Sequence, residues 1–339
     1  MKIGIVNSST FGMYTSDLMK RLGRIGGIER IRVNKNIKGE ELAEKTKGIR
    51  FIIASVTPKY NEEFFKLNKE TVLICRHGLG YNNIDIEAAT RYGVMVTRVP
   101  GKDERDSVAE LAVTLILNCL RKTISANQVV RKGEWKERAK FVGWELRKKS
   151  VGIIGYGNIG KRVGEILKNG FEVDILVYDP NILPENIKEK GVNLVTFEEL
   201  LRKSDIITLH ASLTSENYHL LGAKEFALMK KGVIIVNAAR GGLIGEKELV
   251  KALESGKVRA VGLDVIENEP IESNNPLLSF ENVYIVPHIA AYTREAMRRM
   301  DEKMVEDIEK VIKGEVPGEI INPRVTQSSQ ARSRNLQIV

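Results

Sequence analysis

Short β-branched runs alternate with amphipathic segments along the first hundred residues. The runs are bounded by glycine or polar residues, as in buried strands, while the segments between them have the three- and four-residue apolar spacing of helices. Strands are predicted at Ile3–Val6, Phe51–Ala54, Val72–Cys75 and Val94–Thr97, and helices at Ser16–Leu22, Gly39–Lys45 and Asp85–Tyr92. Because such alternation is typical of a parallel sheet covered on both faces, we expect an α/β unit here.

A second alternating series begins at Ser150. Its predicted strands are Val151–Ile154, Ile175–Tyr178, Ile206–Leu209, Val233–Asn237, Ala260–Asp264 and Val283–Val286, and its helices are Lys161–Asn169, Phe197–Lys203, Ala223–Met229 and Glu246–Glu254. The apolar segment Arg105–Lys122, free of Gly and Pro, predicts a mostly buried helix between the two series. A charged amphipathic helix is predicted at Thr293–Lys313, and the polar, aperiodic residues 326–339 are interpreted as a tail. The chain is therefore expected to be α/β, with two doubly wound parallel-sheet domains.

Length and composition agree with two folded domains. The chain has 339 residues, of which 42% are hydrophobic and 29% charged, which is typical of a soluble globular protein. Its longest apolar stretch, Leu111–Leu117, is interrupted by Thr114 and is too short to span a bilayer. The N-terminus lacks the pattern of a secretory signal. Cys75 and Cys119 form neither a disulfide framework nor a metal motif, so we expect a cytoplasmic protein without a metal site. Because no apolar stretch is long enough to span a bilayer, we expect no membrane partner.

The net charge of +9 raises the question of a nucleic-acid partner. Proteins that bind nucleic acid usually concentrate their basic residues on one face. Here lysine and glutamate alternate along most of the chain, and short clusters such as Arg147–Lys149 resemble solvated surface. Nucleic-acid binding is therefore not expected.

A glycine-rich turn, Gly155–Gly160, follows one predicted strand and opens a predicted helix. Gly155, Gly157 and Gly160 form a GxGxxG motif, which allows a tight turn and close approach of a pyrophosphate to the helix N-terminus. Asp179 lies 19 residues beyond Gly160, where a carboxylate would bind the adenosine ribose and repel a 2′-phosphate. NAD is thus favoured over NADP, with a purely structural glycine turn as the alternative.

Several further segments occur in an order and spacing that are specific to one family. They are Gly78–Asp85, Ser107–Glu110, the glycine motif with Asp179, Asn237–Gly242, Gly262–Pro270 and Pro287–Ala290. On these residues the chain resembles the D-isomer-specific 2-hydroxyacid dehydrogenases across about residues 50–325. The resemblance implies a Rossmann cofactor domain, residues 100–289, inserted into a flavodoxin-like catalytic domain made of residues 1–99 and 290–325.

The resemblance also implies the functional residues. Arg240, Glu269 and His288 would be catalytic, and substrate would lie in the cleft between the domains. Besides the three glycines, the dinucleotide contacts would come from Asn158, Ile159, Asp179, Ala211, Ala238, Asp264 and His288. Backbone amides of Gly78, Leu79 and Gly80 would hold the substrate carboxylate, to which Arg240 would also bind.

The chemistry of the reaction suits these residue types. Hydride transfer from a secondary alcohol requires loss of the hydroxyl proton, and an imidazole such as His288 can exchange that proton near neutral pH. Glu269, bonded to the ring, would fix its tautomer and favour its protonated form. The planar cation of Arg240 is suited to a carboxylate and to polarising the adjacent carbonyl. For each of these residues taken singly, the alternative to a catalytic role is a structural role or a position on the surface.

Three other histidines and three departures from the common family pattern leave open questions. His210 is expected to shape the cofactor wall, and His219 to lie on the surface. His77, beside the predicted carboxylate loop, either contacts substrate or is structural. The departures are Ser212, where a proline is usual, Gly245, where an acidic residue is usual, and Asn82, where an aspartate is frequent.

The resemblance favours an NAD-dependent reductase of a small anionic 2-oxo acid such as glyoxylate or hydroxypyruvate. D-3-phosphoglycerate is the alternative substrate; Ala54–Thr57 lacks an arginine common in enzymes for that substrate, although Arg76 precedes the loop. A different class, an NAD(H)-sensing regulator on the same fold, is disfavoured because all three catalytic residues are retained. Relatives dimerise through the region that contains Trp135 and Trp144, so a homodimer is expected.

Overall fold

The chain divides into two units, one continuous in sequence and the other built from both chain ends. A computed structural model describes residues 1–187, 189, 191–327 and 331–333. Unit 1 comprises Met1–Glu104 and the chain from Tyr292 onward, and unit 2 comprises Arg105–Ala291. The expected domain limits, after residues 99 and 289, lie close to these divisions.

The helices and strands follow one another in the alternation that the hydrophobic pattern predicts. Up to residue 121 they are β1 Lys2–Val6, α1 Ser16–Ile25, β2 Gly27–Ile31, α2 Gly39–Lys45, β3 Phe51–Ala54, α3 Glu62–Leu67, β4 Leu73–Arg76, α4 Ile86–Arg91, β5 Met95–Arg98 and α5 Gly101–Arg121. They continue with α6 Thr123–Arg131, β6 Ser150–Ile154, α7 Asn158–Phe171, β7 Asp174–Tyr178, β8 Val192–Leu194, α8 Phe197–Lys203, β9 Ile206–Leu209, α9 Ala223–Leu228, β10 Val233–Asn237, α10 Glu246–Glu254, β11 Val258–Leu263, β12 Val283–Ile285 and α11 Arg294–Ile312.

Unit 1 contains a parallel sheet in the order β2-β1-β3-β4-β5. This is the order of flavodoxin-like sheets. The strands β3 and β4 are buried along their whole length, which explains why β3 is a continuous apolar run and why β4 is apolar up to Arg76. The pattern did not predict β2, an edge strand in which Glu29 and Arg30 are exposed, nor the short helix α3.

Unit 2 contains a seven-stranded parallel sheet in the order β12-β11-β10-β9-β6-β7-β8. The chain proceeds outward from β6 to β8 and then crosses back to β9, so the strand order reverses between β6 and β9. In such sheets the crevice at this reversal, beyond the carboxyl ends of the strands, is where dinucleotides bind. Together the two sheets confirm the expected fold class. The pattern missed β8, whose three residues are only partly buried or exposed.

Helix α11 carries two buried acidic residues among its apolar ones. Its buried face includes Met297, Met300 and Met304, and it also includes Asp301 and Asp307. The helix begins at a side-chain cap, where the Thr293 hydroxyl accepts from the N–H of Ala296. Carboxylates inside such a face require hydrogen-bond donors, because burial without them is costly.

Among the described residues, no helix has the length and apolar character to cross a membrane.

Part of the predicted tail is anchored on unit 1. Ala331 is buried, and the N–H of Arg332 donates to the carbonyl of Gly93 at 3.0 Å. The Arg332 guanidinium donates to the carbonyls of Thr71 and Phe65. The remainder of the tail prediction, at residues 328–330 and 334–339, lies outside the described residues.

Candidate active site

The glycine-rich turn joins β6 to α7 at the strand reversal of unit 2. Gly155 has φ +87°, and a Cβ there would lie 2.5 Å from the Ala211 nitrogen. A Cβ on Gly160 would lie 2.1 Å from the carbonyl oxygen of Gly155, so both positions require glycine. At Gly157, by contrast, no atom lies within 4 Å of the added Cβ. This open side, at the first turn of α7, provides the backbone approach that a pyrophosphate needs.

Asp179 follows β7 and is fixed by backbone donors. One carboxylate oxygen accepts from the N–H of Tyr156 at 2.8 Å, and the other accepts from the N–H of Asn181 at 2.9 Å. Each oxygen retains a lone pair, so the carboxylate can still accept from the two hydroxyls of a ribose. Its negative charge beside the glycine turn opposes a 2′-phosphate.

The other predicted dinucleotide contacts lie along the carboxyl edge of the same sheet. Asn158 and Ile159 form the start of α7, whereas Ala211, Ala238 and Asp264 follow the strands β9, β10 and β11. Parallel strands bring their carboxyl ends to one edge, so residues far apart in sequence converge there. The donors and glycines on this edge fit an NAD-binding site.

Asp264 organises the segment that carries His288. Its side-chain oxygens accept from the N–H groups of Ile289 at 2.6 Å and Ala290 at 3.1 Å, and its carbonyl accepts from the His288 N–H at 3.0 Å. Burial raises the pKa of the Asp264 carboxyl, and the two backbone donors oppose that shift. His288 itself has φ +54°, a left-handed conformation that is uncommon in a non-glycine residue. The chain around Asp264 thus holds His288 in a conformation it would otherwise rarely adopt.

Glu269 and His288 form a direct hydrogen bond. The Nδ1 atom of His288 lies 2.7 Å from Oε2 of Glu269, and their side chains are 38% and 36% exposed. The other carboxylate oxygen of Glu269 accepts from the N–H of Ile266 at 3.3 Å. With Nδ1 committed to Glu269, Nε2 is the ring nitrogen available for proton exchange with a substrate.

Arg240 follows β10 in the neighbouring turn. The side chain of Asn237 donates to the Arg240 carbonyl at 2.9 Å, and the Arg240 guanidinium donates to the carbonyl of Ala239 at 2.6 Å. A Cβ on the next residue, Gly241, would lie 1.9 Å from the carbonyl carbon of Ile266. The backbone beside Arg240 therefore contacts the segment that leads to Glu269, and all three predicted catalytic residues belong to unit 2.

The predicted carboxylate loop of unit 1 begins at a glycine with a positive φ angle. Gly78 has φ +139°, and its N–H donates to the carbonyl of Arg76 at 2.9 Å. Within the described part of the chain, no acceptor lies within hydrogen-bond distance of the N–H groups of Leu79 and Gly80. The amides that can bind an anion are thus those of Leu79 and Gly80, while the Gly78 amide closes the turn.

The remaining histidines occupy three different environments. Burial lowers the pKa of His210 to about 3, so this ring is neutral at pH 7, and its Nε2 pairs with the Thr208 hydroxyl. His219 is partly exposed and lies 2.8 Å from Oε1 of Glu267, to which the Tyr218 hydroxyl also donates. The His77 side chain is 4% exposed and bonds Asp301. Sequence reasoning missed both carboxylate partners, because nothing local in the sequence marks contacts so distant along the chain.

The unusual residues Ser212 and Gly245 lie in loops that have other support. The carbonyl of Ser212 accepts from the side chain of Asn217 at 2.7 Å. The N–H of Gly245 donates to the carbonyl of Leu221 at 3.1 Å, immediately before α10. Both loops are therefore held by hydrogen bonds despite the unusual residues.

Comparison with known proteins identifies the family that the chain resembles. The sequence profile of the D-isomer specific 2-hydroxyacid dehydrogenase, NAD binding domain, matches residues 113–290. A glyoxylate reductase from Thermococcus litoralis is 38% identical over 294 residues, covering 85% of this chain and 88% of that protein. A D-3-phosphoglycerate dehydrogenase from Archaeoglobus fulgidus is 42% identical over 291 residues, but those residues cover 86% of this chain and only 54% of the relative.

A solved structure extends the likeness to the whole fold. The glyoxylate reductase from Paecilomyes thermophila superimposes with a TM-score of 0.80 at 32% identity, covering 94% of this chain and 98% of the other. The profile match makes unit 2 an NAD-binding domain, as the glycine motif predicted. The chain belongs to the D-isomer-specific 2-hydroxyacid dehydrogenase family.

Proposed function

We propose that this protein catalyses the NADH-dependent reduction of a small 2-oxo acid to the D-2-hydroxy acid. The observation that carries the proposal is the His288–Glu269 pair, 2.7 Å apart, on the edge of an NAD-binding sheet. A partly exposed imidazole held by a carboxylate can take up and release protons, which is the chemistry that interconversion of an alcohol and a carbonyl requires.

In the reducing direction, each residue has a distinct task. When bound, the nicotinamide ring of NADH supplies the hydride. His288 donates a proton from Nε2 to the carbonyl oxygen, while Glu269 accepts from Nδ1–H and stabilises the charged ring. Arg240 brings a permanent planar cation that binds the carboxylate and polarises the carbonyl. One hydride and one proton are thereby added to the carbonyl, and oxidation of the alcohol is the reverse.

Glyoxylate or hydroxypyruvate is the substrate we favour. Glyoxylate reductases match this chain over nearly their whole length, in agreement with this choice. The second candidate, D-3-phosphoglycerate, is favoured by the 42% identity to a dehydrogenase for that substrate. Against it, Arg76 is only 5% exposed and its guanidinium donates to the carbonyl of His77, which makes it a poor phosphate ligand.

The test is an assay of purified protein with NADH and a panel of 2-oxo acids. The proposal predicts turnover of glyoxylate or hydroxypyruvate, with formation of the D-isomer where the product is chiral. Faster oxidation of D-3-phosphoglycerate with NAD would establish the second candidate instead. Binding of NADH without turnover of any of these acids would favour a cofactor-sensing protein.

Cofactor preference is a separate part of the proposal. Asp179 beside the glycine turn supports NAD over NADP, because its charge repels a 2′-phosphate. We therefore expect a higher kcat/KM with NADH than with NADPH, and a smaller ratio in Asp179→Ala. Equal or better use of NADPH by the parent protein would contradict the assignment.

We also propose a homodimer that forms through the segment between α5 and β6. Large apolar side chains of this segment are exposed, among them Trp135 at 67% and Val142 at 75%, and exposed apolar patches mark protein–protein interaction sites. Light scattering at micromolar concentration should give twice the mass of the chain, and Val142→Asp should lower the measured mass.

A cytoplasmic location is proposed from the two cysteines, both of which are buried thiols.

A further inference from the structure

A buried histidine–carboxylate pair lies immediately before the predicted carboxylate loop of unit 1. His77 Nε2 is 2.9 Å from Oδ1 of Asp301, and the side chains are 4% and 1% exposed. At this exposure the imidazole ring has almost no surface to offer a ligand. Of the two roles that the sequence left open for His77, a structural role is therefore favoured over direct contact with substrate.

Asp301 receives hydrogen bonds from three donors in two parts of unit 1. Besides His77, at the end of β4, its second oxygen accepts from the Thr15 hydroxyl and from the N–H of Gly12 at 3.0 Å. A buried carboxylate is tolerated only when donors replace its lost hydration, and these three supply that replacement. The side chain thus ties α11 to β4 and to the loop that precedes α1.

The backbone of His77 also has hydrogen-bond partners within unit 1. Its N–H donates to the carbonyl of Ala54 at 2.9 Å, and its carbonyl accepts from the guanidinium of Arg76. The next residue is Gly78, where an added Cβ would lie 2.6 Å from Nη1 of Arg76. The direction in which the chain enters the loop is consequently set by His77 and its partners.

We propose that His77 and Asp301 are positioning residues that orient the Leu79 and Gly80 amides toward the substrate carboxylate. This inference rests on the proposed function, because it assigns a role in binding the 2-oxo acid. Donors on a loop are effective only when held near their productive geometry, so loss of the pair reduces carboxylate binding without removing any group that contacts substrate. A pair that only stabilised unit 1 would leave substrate binding unchanged.

The experiment compares four variants with NADH and glyoxylate. His77→Leu removes the donor to Asp301, and His77→Gln restores an N–H near the position of Nε2. Asp301→Asn weakens the same contact from the other side. The matched control is Asp307→Asn, since Asp307 is also a buried acid on α11 but pairs with Lys303 rather than His77. Each variant is measured for KM of glyoxylate, Ki of oxamate, kcat, KM of NADH and melting temperature.

His77→Leu and Asp301→Asn should raise KM for glyoxylate and Ki for oxamate together by about tenfold, the equivalent of about 1.4 kcal/mol. In both, kcat and KM for NADH should change by less than about twofold, while His77→Gln should recover most of the loss. Parent-like KM in His77→Leu, or an equal rise in Asp307→Asn, would overturn the inference alone. A parent protein that reduces no 2-oxo acid would overturn the proposed function and this inference with it.

Discussion

Each unit contains a histidine bonded to a carboxylate, and the two pairs differ mainly in exposure to solvent. In unit 1 the His77 and Asp301 side chains are 4% and 1% exposed. In unit 2 the His288 and Glu269 side chains are 38% and 36% exposed. The N–O distances, 2.9 and 2.7 Å, are similar. The roles proposed for the two pairs, bracing a loop and exchanging protons, are therefore assigned to the same chemical groups in different surroundings.

A third pair shows that exposure alone does not make a catalyst. His219 and Glu267 are 37% and 21% exposed at 2.8 Å, close to the values for His288 and Glu269. Both histidines have φ +54°, so the backbone conformation does not separate them. What distinguishes His288 is that Asp264 accepts from the N–H groups of the two following residues. His288 is thus the histidine whose position is specified by the NAD-binding edge of the sheet.

The largest expected effect is on His288. Replacing it with alanine removes the proton donor, so kcat for 2-oxo acid reduction should fall by about 10²–10⁴-fold. Binding of NADH, followed by fluorescence titration, should persist, because the glycine turn and Asp179 are unchanged. A His288→Ala protein with kcat near that of the parent would remove the functional distinction between the two pairs.

The next effect separates the pairs by stability. Asp301→Asn weakens a buried pair and should lower the free energy of unfolding by about 2–4 kcal/mol. Glu269→Gln affects an exposed pair and should lower it by less than about 1 kcal/mol. Urea denaturation of the two variants and the parent measures the difference. Equal losses in both would mean that burial does not separate the pairs.

The sequence predicted the regular part of this architecture because burial leaves a local pattern. Strand β3 is apolar throughout and β9 is apolar except at Thr208, and a glycine-rich turn between a strand and a helix is typical of a dinucleotide site. The edge strands β2 and β8 were missed because exposed strands lack that pattern. The proposed catalytic roles of Arg240, Glu269 and His288 come from the family resemblance, since spacing alone does not bring these residues together. The contact of His77 with Asp301, 224 residues away, has no local signal at all.

A smaller effect concerns the charge of the exposed pair. Glu269→Gln keeps an acceptor for the Nδ1–H of His288 but removes the negative charge beside the ring. An exposed pair contributes at most about 1 kcal/mol, so kcat for glyoxylate should fall by about fivefold or less. The measurement is kcat of the parent, Glu269→Gln and His288→Ala at one pH, and equal losses in the two variants would contradict this order.

The smallest effect is expected at the third pair, and it tests whether location rather than exposure defines the catalyst. His219→Gln keeps a donor toward Glu267 but removes the imidazole ring. Because the Tyr218 hydroxyl still donates to that carboxylate, the segment before Glu269 should stay in place. We expect kcat to change by less than about twofold, far below the 10²–10⁴-fold assigned to a proton donor. A loss of kcat comparable to that of His288→Ala would show that His219 also transfers the proton. The hydrogen bonds from the segment after His288 to Asp264 would then not be what distinguishes the catalytic pair.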